Sequence, residues 1–138
     1  MAGILRYGSY VPYCRLQRAR FEGGGRGERA IANFDEDATS LAVEAAREAM
    51  RGSAPAPATL LFASTSHAYA EKLNAAGVHA ALDLPSETRL ADLSSSSGAG
   101  VAALGLASAS GTGQASLVCC AHEVVGPPKG APPAPRGG

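Results

Sequence analysis

Residues 91–104 carry the clearest structural pattern of the sequence: Ala91-Asp92-Leu93-Ser94-Ser95-Ser96-Ser97-Gly98-Ala99-Gly100-Val101-Ala102-Ala103-Leu104. A strand-like run leads into a turn of small residues and then into a helix-like run. Such a turn presents a side chain at the N-terminus of the helix, where the helix dipole stabilises a developing negative charge. A nucleophile suits that position, and the residue there is Ser97. The serines have a second interpretation as a polar turn and helix cap, because serine is a preferred N-cap residue.

The alternation of strand-like and helix-like segments continues outward from this stretch. Strands are predicted at residues 3–12, 59–64, 88–93 and 116–121, and helices at 41–50, 69–82 and 101–109. Such alternation predicts an α/β fold, a mostly parallel sheet with helices on both faces. Residues 18–29 are basic and glycine-rich and predict an exposed loop. The acids Asp35, Glu36 and Asp37 precede the first helix, where capping explains them more simply than a metal site does.

Composition excludes several classes of protein. The 138 residues include 12 Lys+Arg and 12 Asp+Glu, so no net charge draws the chain to nucleic acid or to a membrane surface. No N-terminal signal pattern and no bilayer-length apolar run is seen, so we expect a cytoplasmic protein. Cys14, Cys119 and Cys120 have neither disulfide-framework nor zinc-ligand spacing, so no metal is expected. Two regions are predicted: a domain at 1–123 and a disordered Pro/Gly/Ala-rich tail at 124–138.

Four segments, at residues 3–12, 27–37, 64–72 and 91–104, resemble in their order the N-terminal part of hydroxymethylglutaryl-CoA synthases. The likeness is to the archaeal and actinobacterial type, within the thiolase-like superfamily that also holds ketoacyl synthase III. It covers about residues 3–121 and implies the N-terminal half of a thiolase-like fold. It also implies an acyltransferase in which a cysteine thiolate accepts the acetyl group of acetyl-CoA. A glutamate then helps to deprotonate the acetyl-thioester, whose carbanion attacks acetoacetyl-CoA, and hydrolysis releases hydroxymethylglutaryl-CoA. CoA thioesters are the implied substrates, without a further cofactor.

The resemblance points to specific catalytic positions, and this chain departs from the family at two of them. Ser97 stands at the position of the family's cysteine, and Thr65 at the position of its glutamate. A serine hydroxyl is a weaker nucleophile than a thiolate unless a general base activates it, and threonine is not a carboxylate base. His67 is a further candidate as a proton shuttle, with a structural role as the alternative. Cys119 and Cys120 are expected to be small core residues.

The size of the chain matters because the family's fold has two similar halves, with the active site between them and a histidine supplied by the C-terminal half. We therefore expect a truncated or frameshifted product, or a fragment that needs a partner. Three hypotheses follow: the N-terminal part of an acyl-CoA condensing enzyme, inactive alone; a non-catalytic thiolase-like subunit that binds acyl-CoA or a partner; and a non-functional gene remnant. The expected partners are acyl-CoA and either a second copy of the chain or a thiolase-like protein, because a single half would expose apolar surface.

Overall fold

The computed structural model describes residues 3–20, 23–94, 96–110 and 113–124. The helices are α1 (Ala38–Ala49), α2 (Asn74–Ala81) and α3 (Ala99–Ala109). The strands are β1 (Arg15–Gln17), β2 (Glu28–Ala30), β3 (Thr59–Ala63), β4 (Arg89–Leu93) and β5 (Ser116–Cys120). A short 3₁₀ helix, Arg18–Arg20, follows β1.

The centre of the fold is a three-stranded parallel sheet with the order β4-β3-β5. Side chains of β3 alternate between the two faces of the sheet. Leu60 and Phe62 are buried in a core cluster with residues of α1 and α2, whereas Leu61 and Ala63 are buried in a second cluster with residues of α3. The prediction of a parallel α/β sheet with helices on both faces is therefore confirmed.

The N-terminal region differs from its prediction. Residues 3–12 form no strand; they run past α1, and a Cβ on Gly8 would lie 2.4 Å from the Ala45 oxygen and the Ala49 nitrogen. The Arg6 Nη1 also donates to the Arg51 oxygen at 2.5 Å. The predicted strand is wrong because the backbone of this segment packs on a helix, an approach that only glycine permits at position 8.

The basic segment at 18–29 is also only partly the expected loop. Its end joins β2, which pairs antiparallel with β1 so that Arg15 faces Ala30 and Gln17 faces Glu28. The strands are three residues each, too short for alternation of apolar and polar residues to reveal them.

The starts of α1 and α2 have identifiable causes. Asp37 forms a capping box at α1, with hydrogen bonds of 2.8 Å in both directions between Asp37 and Ser40, which agrees with the capping interpretation of the acids. The predicted helix at 69–82 begins only at Asn74, because the carboxylate of Asp92 accepts the backbone N–H groups of Asn74 and Ala75 at 2.6 and 2.8 Å. A carboxylate from β4 thereby caps α2.

Helix α3 has an unusual surface. It contains no charged residue, and only Ala99 and Ala103 are buried, while Val101 is 76% exposed and Leu104 and Leu106 are also exposed. In the part of the chain that the structure describes, no helix has both the length and the apolar character needed to cross a bilayer. Apart from Val124, the predicted tail lies outside the described residues.

Candidate active site

The carboxyl ends of β3 and β5 and the first turn of α3 border an open cavity of about 310 Å³. In parallel α/β sheets, ligands bind at the carboxyl ends of the strands. The cavity is lined mainly by small and polar side chains, namely Ala63, Ser64, Thr65, Ser96, Ser97, Ala99, Gly100, Cys120, Ala121 and His122. Two predicted catalytic positions, Ser97 and Thr65, are thus brought together in one cavity.

Ser97 is exposed and directly precedes Gly98, the N-cap residue of α3. Its position at the start of this helix agrees with the placement predicted from residues 91–104. The alternative interpretation of the serines is a polar turn and helix cap. Its cap part is wrong, because the N-cap residue of α3 is Gly98 and no side chain of the described residues caps this helix. Its turn part agrees with the structure, in which residues 96–98 form a bend and a turn and the Ser96 oxygen accepts the Ala99 N–H. Because Ser97 directly precedes the N-cap residue, it lies next to the positive end of the helix dipole.

Thr65 is paired with a histidine to which sequence reasoning gave no role. Its Oγ1 lies 2.6 Å from the Nδ1 of His122, within hydrogen-bond distance, although 57 residues separate the two. Thr65 lies two residues beyond the end of β3, and His122 lies two residues beyond the end of β5. Because Ala63 faces Cys120 in the sheet register, the two residues that follow at the same offset meet. The sequence held one signal of this contact: Thr65 and His122 directly follow the predicted strands 59–64 and 116–121. Using that signal required knowing that the two strands are neighbours in the sheet.

Hydrogen bonds between the segments that follow β3 and β5 lie on both sides of the Thr65–His122 pair. The Ser66 hydroxyl accepts the Glu123 N–H at 2.8 Å, and the Ala121 N–H donates to the Ala63 oxygen at 3.2 Å. Ser66, next to Thr65, and Ala121, next to His122, therefore each form a hydrogen bond with the segment that carries the other residue of the pair. The pair is consequently part of a connected backbone structure at the sheet edge, although both side chains are solvent-exposed.

The adjacent cysteines have different environments. Cys119 is buried beneath α1 and α2, as expected for a small core residue, and burial raises the pKa of its thiol to about 12. Cys120 is exposed and lines the cavity beside Gly100, so its expected placement in the core is wrong. Partial burial also raises the pKa of Cys120. The two thiols differ because neighbouring residues of a strand face opposite sides of the sheet.

His67 lies apart from the cavity. Its ring packs edge-on against Phe62, with the ring centroids 4.9 Å apart, and it is not among the residues that line the cavity. Within the described residues its Nε2 is buried without a hydrogen-bond partner. The role of His67 as a proton shuttle therefore stays a prediction, and its ring lies against a core residue outside the cavity. The described residues contain no group of three or more His, Cys, Asp or Glu side chains placed to hold a metal ion.

Comparison with known proteins adds a sequence relationship. No family model matches the chain. A hydroxymethylglutaryl-CoA synthase of Archaeoglobus fulgidus is 36% identical over 119 residues, which is 75% of this chain and 35% of that protein. The corresponding enzyme of Methanocaldococcus jannaschii is 34% identical over 119 residues, 75% of this chain and 34% of its own length. The chain thus spans about a third of the length of the curated relatives it matches.

Solved structures share the fold over a similar portion. The 3-oxoacyl-[acyl-carrier-protein] synthase III of Aquifex aeolicus is 25% identical and has a TM-score of 0.73 over 88% of this chain and 44% of that one. MvaS in complex with 3-hydroxy-3-methylglutaryl coenzyme A has a TM-score of 0.72 at 24% identity, over 87% of this chain and 34% of MvaS. In sequence and in fold, the chain is therefore a relative of the hydroxymethylglutaryl-CoA synthases, and it shares a thiolase-like fold with part of the synthase III and MvaS chains.

Proposed function

We propose that this chain is the acyl-accepting part of a hydroxymethylglutaryl-CoA synthase-like condensing protein and that Ser97 is its acyl acceptor. The acyl donor is a CoA thioester, as in the reaction of the relatives. The chain alone carries out no complete condensation, because that reaction also needs a carboxylate base, and threonine stands at that position. The proposal places the chain in the cytoplasm, a reducing compartment that suits three free cysteines.

The observation that carries this proposal is the position of Ser97. Ser97 stands at the start of α3 and lines an open cavity at the carboxyl ends of the strands. The helix dipole at this point favours the oxyanion that forms when a nucleophile attacks a thioester carbonyl. The 36% identity to a synthase supports a CoA thioester as the donor.

Acyl transfer is tested by incubating the purified chain with radiolabelled acetyl-CoA and counting the label bound to protein. Label is expected on the natural chain and not on Ser97→Ala. Cys120→Ala is the matched control, since Cys120 lines the same cavity, and it is expected to keep its label. Resistance of the label to neutral hydroxylamine separates a serine ester from a cysteine thioester. Ser97→Cys is expected to label faster, because a thiolate is the stronger nucleophile.

A second candidate function is acyl-CoA binding without transfer, favoured by the hydroxyl residues at both family positions, Ser97 and Thr65. Equilibrium dialysis with acetyl-CoA distinguishes the two candidates. Saturable binding with no label on Ser97 would favour the non-catalytic subunit and refute acyl transfer. If binding, labelling and cooperative unfolding were all absent, the remaining hypothesis of a gene remnant would be favoured.

The proposal includes a protein partner that covers the outer face of α3. Val101 and Leu104, which are neighbours at i and i+3 on that face, expose apolar side chains there, and exposed apolar surface that is not compensated by charge is typical of an interaction site. Sedimentation velocity at micromolar concentration measures whether the chain associates with itself. Val101→Glu is expected to disrupt any such association, and a chain that is monomeric without a partner would leave a thiolase-like protein as the proposed occupant.

A further inference from the structure

Acyl transfer to Ser97 needs a general base near its hydroxyl. A serine hydroxyl attacks a thioester efficiently only when a neighbouring group takes its proton. The structure brings one histidine, His122, to the cavity that Ser97 lines. We propose that His122 is the general base of this site and that Thr65 is the residue that positions it. This inference rests on the acyl-accepting function of Ser97 and adds how the hydroxyl is activated.

The hydrogen bond between Thr65 and His122 carries the argument. The Thr65 Oγ1 lies 2.6 Å from Nδ1, so one ring nitrogen of His122 is held by the protein. Which nitrogen of a histidine acts as a base is set by the bond that the other nitrogen makes. With Nδ1–H donating to the Thr65 oxygen, the lone pair is on Nε2. This arrangement of nucleophile, base and orienting group has the logic of a serine–histidine–acid triad, with a neutral hydroxyl in the orienting role.

The positions of the three residues in the fold support this assignment. Each follows or precedes a regular element at the same edge of the sheet: Thr65 follows β3, His122 follows β5, and Ser97 precedes α3. The bonds from Glu123 to Ser66 and from Ala121 to Ala63 fix the two segments that carry the base and its orienting group. A base whose segment is already fixed by hydrogen bonds loses little entropy when the reaction begins.

The reaction balances without any further reactant. The Ser97 Oγ forms a bond to the acyl carbonyl carbon, and its proton moves to the His122 Nε2. The carbonyl oxygen becomes an oxyanion at the N-terminus of α3, where the helix dipole stabilises it. When the oxyanion collapses, the carbon–sulfur bond breaks, and the sulfur of CoA takes the proton from His122. Free CoA leaves, and the acyl group stays on Ser97 as an ester.

This assignment accounts for the two departures from the family together. A thiolate nucleophile is already deprotonated, whereas a serine needs a base. The resemblance places the family's glutamate at the position of Thr65. Threonine has no carboxylate to act as a base, but its hydroxyl can orient an imidazole. A serine in place of the family's cysteine at position 97 thus requires a base, and Thr65 contacts the proposed base, His122.

The test measures the initial rate at which radiolabelled acetyl-CoA labels Ser97 in the full chain. His122→Asn, which keeps a polar partner for Thr65 but cannot take the proton, is expected to lower this rate by about 100-fold or more. His122→Ala is expected to regain part of the rate in added imidazole, which a purely structural role of His122 would not produce. His79→Gln is the control, since His79 bonds the Pro85 oxygen away from the cavity, and it is expected to label at the natural rate.

The positioning role of Thr65 has its own comparison. Thr65→Ser keeps the hydroxyl and is expected to label at close to the natural rate, whereas Thr65→Val keeps the shape and is expected to be about tenfold slower. Natural-rate labelling by His122→Asn, or no response of His122→Ala to imidazole, would overturn the assignment while leaving Ser97 as the acyl acceptor. Thermal melting of each variant checks that it is folded.

A second probe separates failure of this inference from failure of the proposed function. An alkyl fluorophosphonate needs no CoA site: the Ser97 Oγ bonds to phosphorus, fluoride leaves, and the base takes the proton. If acetyl-CoA gives no label but the fluorophosphonate modifies Ser97 in a His122-dependent way, the base assignment stands and the CoA-thioester substrate is wrong. If the natural chain reacts with neither reagent at Ser97, both are wrong.

Discussion

Gly100 and Gly105 belong to the same helix, α3, but have different surroundings. A Cβ built on Gly105 has nothing within 4 Å, whereas a Cβ built on Gly100 lies 3.0 Å from the Sγ of Cys120. Alanine is a better helix former than glycine by about 0.8–1 kcal/mol in a helix interior. Gly105→Ala is therefore expected to raise the free energy of unfolding by about 0.5–1 kcal/mol.

Gly100→Ala is expected to lose this gain in the free energy of unfolding, because the added Cβ would lie only 3.0 Å from the Cys120 Sγ. The Cys120 Sγ would have to give by a few tenths of an ångström, and overpacking costs about 1–3 kcal/mol, at the lower end here because the exposed Cys120 side chain can move. The two substitutions should thus differ by about 1–2 kcal/mol. Cys120→Ala removes the colliding atom and leaves the Cys120 Cβ at 3.9 Å, an ordinary contact. In that background, Gly100→Ala should approach the effect of Gly105→Ala.

Urea unfolding of the natural chain, the three single variants and the Gly100→Ala/Cys120→Ala double variant measures these differences. The double-mutant cycle should give a coupling of about 1 kcal/mol between positions 100 and 120. The reasoning is refuted if Gly100→Ala stabilises the natural chain as much as Gly105→Ala does. Such a result would mean that the Cys120 thiol does not occupy the space beside α3 and that this wall of the cavity is misplaced.

Three further predictions concern other parts of the fold. Asp92→Ala should lower the free energy of unfolding by about 2–3 kcal/mol, since it leaves N–H groups at the start of α2 without their acceptor; urea unfolding measures the loss, and a change below about 0.5 kcal/mol would contradict the capping role. Iodoacetamide should modify the exposed Cys120 before the buried Cys119, as measured by tandem mass spectrometry. The rate should rise with pH, because the thiolate is the reactive form and burial raises the pKa of both thiols. Equal rates at the two positions would contradict the placement of the two side chains on opposite faces of the sheet. Tyr10→Phe should bring the pKa of Glu36, lowered chiefly by the hydrogen bond from Tyr10, back toward its ordinary value in an NMR titration. Because the folded-state pKa of Glu36 is lowered, its small contribution to stability is present above the ordinary pKa and disappears as the pH falls through the lowered one; an unchanged titration in Tyr10→Phe would contradict this bond.

The segments that could be predicted from sequence are those whose pattern is local. Strand β3 was expected at residues 59–64 and is found at Thr59–Ala63. A strand that is buried on both faces of a sheet is a continuous apolar run, and such a run can be recognised within its own segment. Helix α3 was predicted within two residues of its start. The strand expected at 3–12 failed because strand formation depends on an available neighbour, and this segment meets a helix instead. Helix α2 begins late because its cap, Asp92, comes from a distant strand.

The candidate site divides in the same way. The sequence by itself determined that Ser97 stands at a helix N-terminus, because a turn and the helix that follows it are neighbours along the chain. Only the tertiary structure decided that Thr65 meets His122, since their contact depends on β3 and β5 being adjacent, parallel and in register at Ala63 and Cys120. Strand order and register are set by the packing of helices on both faces of the whole sheet. No local pattern encodes that packing, so the position of the proposed nucleophile could be predicted from its own segment and the position of the proposed base could not.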